Sequence, residues 1–156
     1  MVPAQSAAAA ANDDLPPPPA GICSKCNPVG YYAFGPVKDF AGDPYSNIRG
    51  QCVWWAAIQR LDENFHGMGT YAYQWAANAP KHGFKTGTVP QVGATVVFQR
   101  GVAGASSVGG HVAHVEVVYS GGWFLISEMN FYAHGGGWDR VSYRYVHVGA
   151  GISFIY

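Results

Sequence analysis

The spacing of the apolar residues changes once along this chain, from intervals of three and four to intervals of two. Residues 51–64 have the first spacing, which is typical of a helix, and residues 71–79 repeat it until Pro80 breaks it. The second spacing predicts strands at Ala94–Phe98, His111–Tyr119, Trp123–Met129, Arg140–Val148 and Ile152–Tyr156. Helices followed by a run of strands predict an α+β domain, with N-terminal helices packed on an antiparallel β-sheet.

The first 30 residues differ in composition from the rest of the chain. An alanine tract at 7–11 and four prolines at 16–19 bury too little apolar surface to offset the entropy lost on ordering. We therefore expect a disordered linker over residues 1–30 and one folded domain over residues 31–156. The charged and apolar segments of a signal peptide are absent, so we expect any export signal to have been removed or left out.

Three cysteines occur in two different settings. Cys23 and Cys26 form a CxxC within the predicted linker. A local disulfide, two free thiols, or half of a zinc site are alternative interpretations, although no second ligand pair supports zinc. Cys52 stands alone in the predicted domain.

The charge of the chain argues against several classes of partner. Nine basic residues balance nine acidic ones, and only 12% of the residues are charged. Because phosphate binding requires several basic side chains on one face, we expect neither nucleic acid nor an anionic membrane as a partner. No apolar run approaches the roughly 20 residues of a spanning helix. We expect a monomer without a membrane span.

Cys52 is the candidate nucleophile because it lies at the predicted start of the first helix. The first-turn amides and the helix dipole stabilise an anion there by about 0.3–1 kcal/mol, which favours the reactive thiolate. Gln51 lies beside it and is a candidate contributor to an oxyanion site. A buried structural cysteine is the alternative, and Cys52 alone would not decide the question.

A nucleophilic thiol needs a base, and His111 and His114 lie on the same predicted strand. Residues three apart on a strand point to opposite faces, so only one of these histidines can reach Cys52. The face of His111 continues with apolar residues, including Val115, and we expect the helix to pack on that face. This predicts His111 as the base.

The following strand tests the prediction through the loop that contains Gly121–Gly122. A loop of two or four residues places Glu128 and Asn130 on the face of His111, whereas a three-residue loop would place Glu128 with His114. We favour an even-length loop. Cys52, His111 and an orienting Glu128 or Asn130 are what acyl transfer through a thioester requires.

Several short segments together resemble the CHAP family, the cysteine, histidine-dependent amidohydrolases/peptidases. GQCVWW at 50–55 resembles the family's cysteine motif, GHVA at 110–113 its histidine motif, and ISEMN at 126–130 its acidic motif. GTYA at 69–72 and VPQVG at 89–93 resemble the intervening segments, in the family's order. The resemblance covers residues 31–156.

The resemblance implies a papain-like CHAP fold and a secreted or cell-wall associated hydrolase of bacterial peptidoglycan. The enzyme would be an N-acetylmuramoyl-L-alanine amidase or an endopeptidase, acting through a thioester acyl-enzyme. It implies Cys52 as nucleophile, His111 as base, Glu128 as third member with Asn130 nearby, and Gln51 at the oxyanion. Of the tryptophans, we expect Trp54, Trp55 and Trp138 to bind substrate, and Trp75 to pack in the core.

The chain departs from the family in two places. Ala94 stands where many relatives have Asp, and Asp39 with Asp43 make a sparse loop where some relatives bind calcium, so no metal or cofactor is expected. Two alternatives share much of the fold: a non-catalytic cell-wall binding module, and a secreted antibacterial toxin with the same chemistry.

Overall fold

The computed structural model describes residues 34–35, 40–133 and 136–156 of the chain. The linker predicted over residues 1–30, including Cys23 and Cys26, lies outside the described residues, as does the domain boundary at residue 31. Among the residues described, no helix combines the length and the apolar character needed to cross a membrane.

Within the described residues, seven strands form one antiparallel sheet. The strands are β1 (Phe34–Gly35), β2 (Thr86–Gly87), β3 (Thr95–Phe98), β4 (His111–Val118), β5 (Trp123–Met129), β6 (Val141–His147) and β7 (Ile152–Ile155). Their order across the sheet is β1-β6-β5-β4-β3-β7-β2. The α+β class is confirmed, and the five predicted strands are found with each end within one residue. The two-residue strands β1 and β2 are too short to show an alternating pattern.

The first helix, α1, spans Cys52–Ile58 and is shorter than the predicted 51–64. The chain turns after it because Arg60 reaches towards the sheet, where its Nη1 donates to the carbonyl of Ile155 at 2.8 Å. Leu61, which continued the apolar stripe in the sequence, is 51% exposed. The helical spacing therefore extends one turn beyond the helix itself.

The second predicted helix, 71–79, is a segmented helical stretch rather than one helix. A 3-10 turn at Ala72–Gln74 leads into the short helix α2 at Trp75–Asn78, and a second 3-10 turn covers Ala79–His82. Trp75 is buried in the core as expected.

Helix α1 packs on one face of the sheet, and this is not the face of His111. Its side chains share a core with Val112, Leu125 and Met129, whereas Ala113 and Val115 belong to a second core on the opposite face. The expectation that the helix packs on the face of His111 is therefore wrong.

The curvature of the sheet explains this error. Phe124 on β5 and Phe154 on β7 lie three strands apart, yet their rings meet edge to face at 5.2 Å. In a flat sheet the backbones of these two strands would lie about 14 Å apart, since neighbouring strands are about 4.8 Å apart. The concave face thus buries its own apolar side chains without needing a helix, and apolar character does not reveal which face the helix covers.

Four residues, 119–122, separate β4 from β5, which is one of the two even loop lengths predicted, although the pair next to the turn, Val118 with Phe124, is that of a three-residue turn. The turn does not reverse the faces at the far end, because a β-bulge shifts the register between Val115 and Val117. Beyond the bulge His114 lies opposite Ser127, which is the register of the four-residue loop. Glu128 consequently lies on the face of His111, as predicted.

Candidate active site

Cys52 is the first residue of α1 and follows a tight turn at Gly50. Gly50 has φ +90°, and a side chain there would collide with the ring of Trp138, so only glycine fits. Gln51 is the N-cap residue, and its carbonyl accepts the first helical hydrogen bond, from the amide of Trp55 at 3.1 Å. This turn places the thiol at the end of the sheet rather than over its middle.

His111 begins β4 and is buried beside that thiol. The preceding Gly110 has φ +64°, and a Cβ there would lie 2.7 Å from the carbonyl oxygen of Phe98, so the chain approaches β3 too closely for another residue. His111 points to the concave face, but its position at the strand end leaves the ring within hydrogen-bonding reach of Cys52. The strand-end position, not the helix-facing side, brings the pair together.

Glu128 is the group that orients the imidazole. Its Oε2 lies 2.8 Å from His111 Nε2, which leaves Nδ1 for the thiol, and its Oε1 accepts from Arg144 Nε at 2.9 Å. The carboxylate is fully buried. Sequence reasoning found Glu128 but missed Arg144, whose place in a strand of mixed polarity gave no signal.

Asn130 lies at the end of β5 but does not take the orienting role. Its φ is +59°, and its amide donates to the carbonyl of Gly137 at 3.1 Å. Its Oδ1 is buried without a hydrogen-bond partner among the described residues, and the side chain lines the cleft beside His111. Of the two candidates left open by the sequence, Glu128 is the one hydrogen-bonded to the imidazole.

Burial and neighbouring charges act in opposition on the two reactive groups. Burial alone would raise the pKa of the Cys52 thiol, but the charge and hydrogen bond of His111, with the amides of Val112 and Val53, lower it below 9.0. Burial alone would lower the pKa of His111, but the thiolate and Glu128 raise it from 6.5 to about 9. Both shifts favour the thiolate–imidazolium pair over the neutral pair.

The pKa of Glu128 is also decided by its partners. Burial favours the protonated acid and would raise the pKa, but the charge of Arg144 and the hydrogen bond from His111 lower it below 4.5. Glu128 is therefore ionised in the pH range in which the imidazole of His111 is protonated, and the two charged groups stabilise each other.

A cleft of about 560 Å³ opens over the thiol. Gln51, Cys52, His111 and Asn130 contribute to its lining, as sequence analysis predicted for the site. Three aromatic residues that were not predicted also line it: Tyr71, Phe131 and Tyr132. The last two directly follow the acidic motif, which was the available signal. Tyr132 is 75% exposed and free to contact a ligand.

The predicted tryptophans fall into three environments. Trp54 has no exposed surface, and its Nε1 donates to Asp43 at 2.7 Å, so its predicted role in substrate binding is wrong. Trp55 points beneath the helix, where its Nε1 donates to Ser127 at 2.9 Å, and it does not line the cleft. Trp138 is 54% exposed beside Gly50, and it keeps the predicted role as a hypothesis.

The described residues contain no group of three or more metal-ligating side chains. Asp43, one of the two acidic residues considered for calcium, uses both oxygens internally, accepting from the amide of Tyr45 and from Trp54. Asp39, the other, lies outside the described residues.

Comparison with known proteins agrees with this geometry. The profile of the CHAP domain matches residues 41–130. An N-acetylmuramoyl-L-alanine amidase domain-containing protein of Staphylococcus aureus is 33% identical over 100 residues, which cover 62% of this chain and 16% of the relative. Staphylococcal secretory antigen SsaA of Staphylococcus epidermidis is 31% identical over 119 residues, which cover 70% of this chain and 42% of the relative. The chain thus spans less than half the length of either relative.

The fold is also similar to that of a solved structure. The 2.15 Å crystal structure of an N-acetylmuramoyl-L-alanine amidase from Staphylococcus aureus superposes with a TM-score of 0.61 at 29% identity. The match covers 76% of this chain and 37% of the amidase.

Proposed function

The chain belongs to the CHAP family, and on that premise we propose that it is a cysteine-dependent hydrolase of an amide bond in bacterial peptidoglycan. The observation that carries the proposal is the continuous hydrogen-bonded series from Cys52 through His111 to Glu128, placed at the base of an open cleft. The amidase named in the similar sequence and in the similar crystal structure supports peptidoglycan as the substrate.

In the first step, the thiolate of Cys52 attacks the carbonyl carbon of the scissile amide. A C–S bond forms, and the carbonyl electron pair moves to the oxygen. Gln51 lines the cleft beside the thiol, and its side-chain amide is the proposed donor to this developing oxyanion. A preorganised donor of this kind contributes about 10²–10³-fold in rate in other hydrolases.

In the second step, protonated His111 gives its proton to the nitrogen of the leaving amine as the C–N bond breaks. The product is a thioester on Cys52. Neutral His111 then removes a proton from water, which attacks the thioester; the C–S bond breaks, the free acid leaves, and the thiolate–imidazolium pair is restored. Glu128 keeps the ring oriented through both transfers, because its Oε2 holds Nε2 while Nδ1 faces the reacting atoms.

The lining of the cleft suits a polar, uncharged segment of substrate. Apart from the Cys52–His111 pair, the described residues that form it include no acidic or basic side chain, and Thr70, Ser106 and Asn130 offer hydroxyl and amide groups. Tyr71 and Tyr132 supply exposed aromatic surface for sugar or peptide. We further propose that the protein acts as a monomer outside the cell or in the wall, a location supported by the secretory antigen among its relatives.

Digestion of purified peptidoglycan tests the proposal. The wild-type protein is expected to release soluble fragments, Cys52→Ala none above background, and the matched Cys23→Ser/Cys26→Ser variant as much as wild type. Equal release by wild type and Cys52→Ala would contradict the cysteine mechanism. Binding of the wild type to peptidoglycan without any soluble product would favour the non-catalytic binding module instead.

Mass spectrometry of the same digest identifies the bond. Cleavage between muramic acid and L-alanine yields stem peptides with a free L-alanine amine, whereas an endopeptidase leaves stems attached to the sugar. Either product supports amide hydrolysis, and the two products distinguish the two enzyme classes.

A further inference from the structure

Arg144 on β6 contacts the active-site carboxylate from the side opposite His111. Its neighbour across the ladder is Ile126, so the side chain lies on the concave face, as Glu128 does. Nε donates to Glu128 Oε1 at 2.9 Å, and Nη1 donates to the carbonyl of Ala103 at 2.6 Å. The guanidinium also stacks 4.2 Å from the ring centre of Phe131. One side chain thereby joins the carboxylate to the cleft wall and to the loop beside it.

We propose that Arg144 is a positioning residue of this site, which fixes Glu128 so that Glu128 can orient His111 and which ties these residues to the loop beside the cleft. The inference rests on the proposed cysteine chemistry. Arg144 lies outside the segments of this chain that resemble the motifs of the CHAP family.

The Glu128 carboxylate is held through both of its oxygens. Each oxygen of Glu128 has its own partner, His111 on Oε2 and Arg144 on Oε1. A carboxylate held on both oxygens has little freedom to rotate, so the direction of its bond to the imidazole is fixed. The contacts thus run in series, from Arg144 to Glu128, from Glu128 to His111, and from His111 to the thiol.

The positive charge of Arg144 also keeps Glu128 ionised. Glu128 has no exposed surface, and burial by itself favours the neutral acid, whose proton would face His111 or Arg144. The charged and titratable groups known to act on this carboxylate are His111 on β4 and Arg144 on β6, with Cys52 on α1 beyond His111. Arg144 is the permanent cation among them, because a guanidinium does not lose its proton in proteins.

Arg144 also binds the loop beside the cleft, at Ala103, the residue before Gly104 of the cleft lining. Ala103 has φ +50°, a backbone conformation that residues other than glycine rarely adopt, and its carbonyl accepts from Arg144. Phe131, stacked on the guanidinium, lines the cleft and contacts the ring of His111 at 5.4 Å. Loss of Arg144 would therefore free both this loop and the wall beside the base.

Packing alone does not explain an arginine here. Nη2 is buried without a hydrogen-bond partner among the described residues, a desolvation cost that an apolar side chain of similar size would avoid. A residue kept only for stability is better supplied by methionine or leucine at such a position.

The pH dependence of Cys52 alkylation by iodoacetamide tests the proposal without any substrate. It is measured in a Cys23→Ser/Cys26→Ser background, where Cys52 is the remaining thiol. Removing the cation in Arg144→Gln is expected to move the acid limb of the profile upward by about one pH unit, because the buried Glu128 loses the cation that keeps it ionised, and a protonated Glu128 no longer supports the imidazolium that stabilises the thiolate. Arg144→Lys, which retains the charge, is expected to keep the limb within about 0.3 units of wild type.

Arg100→Gln is the matched control, since Arg100 stacks on Tyr73 without a recorded contact to Glu128. It should leave the profile unchanged. A wild-type acid limb in folded Arg144→Gln overturns the proposal, even if the melting temperature falls, because a merely structural role would lower stability alone.

Turnover of peptidoglycan supplies the second readout. Arg144→Lys can reach Glu128 or Ala103 but lacks the fork that reaches both, so kcat is expected to fall about 5–10-fold with KM little changed. Should Arg144→Gln fail to fold, this variant decides, and an unchanged kcat overturns the proposal. Absence of turnover in the wild type would instead count against the proposed function, while the alkylation profile would still report on Arg144.

Discussion

Two groups of polar side chains lie on opposite faces of the same pair of strands, β4 and β5. On the concave face, His111 and Glu128 are hydrogen-bonded at 2.8 Å. On the helix face, His114 lies opposite Ser127, whose hydroxyl donates to Glu116 at 2.6 Å. Each group contains a histidine and a carboxylate, yet only the concave group reaches a thiol.

The two histidines respond to their surroundings in opposite directions. The pKa of His111 rises to about 9 despite burial, because the thiolate and Glu128 favour the charged ring. The pKa of His114 falls below 6.5, because burial and the charge of Arg60 outweigh the attraction of Glu116. A histidine near a carboxylate is therefore not sufficient for a base, and the position of His111 at the strand end makes the difference.

Substitution of each histidine should give the largest contrast. His111→Ala is expected to reduce kcat by roughly 10³–10⁴-fold, since it removes both the base and the partner of the thiolate. His114→Ala should retain activity within a few-fold, because its ring does not contact the thiol. Release of soluble peptidoglycan fragments, normalised to folded protein by circular dichroism, provides the measurement. Greater loss in His114→Ala than in His111→Ala would reverse the assignment.

The carboxylates give a smaller contrast. Glu128→Gln keeps the shape but loses the charge that favours imidazolium, and kcat is expected to fall by about 10²-fold. Glu116→Gln lies on the helix face and should change kcat less than threefold. Steady-state turnover of both variants decides, and equal losses would show that the two faces do not differ in function.

The helix-face group should instead matter for stability. Ser127 accepts from Trp55 and donates to Glu116, so Ser127→Ala removes a hydrogen bond from each of these two half-buried side chains. We expect the free energy of unfolding to fall by about 1–3 kcal/mol with kcat per folded molecule unchanged. Urea denaturation measures the first quantity and peptidoglycan turnover the second. Stability equal to wild type would mean that these hydrogen bonds contribute nothing.

The smallest effect is a difference in the pH dependence of stability. His114 has a lowered pKa, so the folded state disfavours its proton, and stability should decline as pH falls below about 6.5. The raised pKa of His111 and the lowered pKa of Cys52 oppose each other between 6.5 and 9, because folding moves one proton from thiol to imidazole. Urea unfolding at pH 7.5 and 5.5 should show a smaller acid loss in His114→Gln than in wild type. An identical loss would refute this role.

The sequence was sufficient for the five longer strands and for identifying Cys52 and His111 as neighbours in the site. Alternation over five to nine residues defines a strand well, and the glycines before both residues mark tight turns. The end of α1 was harder to predict, since Leu61 continues the apolar spacing although the helix stops at Ile58. Arg60, just after the helix, instead donates a hydrogen bond to the carbonyl of Ile155 in the sheet, a contact that the local sequence does not reveal.

Local sequence patterns did not show that helix α1 packs on the face opposite His111. A three-residue turn and a bulge at Glu116 each shift the register by one, so their effects cancel at Glu128. Neither feature has a unique sequence signature, and the sequence predicted the correct neighbour of His111 without revealing either of them. The curvature that fills the concave face depends on contacts between β5 and β7, which are not consecutive strands, and the contact of Arg144 with Glu128 depends on the pairing of β5 with β6.

The most direct test of the central claim is the rate of Cys52 alkylation against pH in wild type, His111→Ala and His114→Ala, all lacking Cys23 and Cys26. We expect a wild-type thiol that reacts below pH 9.0, the ordinary pKa of cysteine, with a second change near pH 9 as His111 loses its proton. His114→Ala should reproduce this profile, and His111→Ala should titrate once, at a higher pH than wild type. A single titration at or above pH 9.0 in the wild type, unaltered by His111→Ala, would show that no thiolate–imidazolium pair exists.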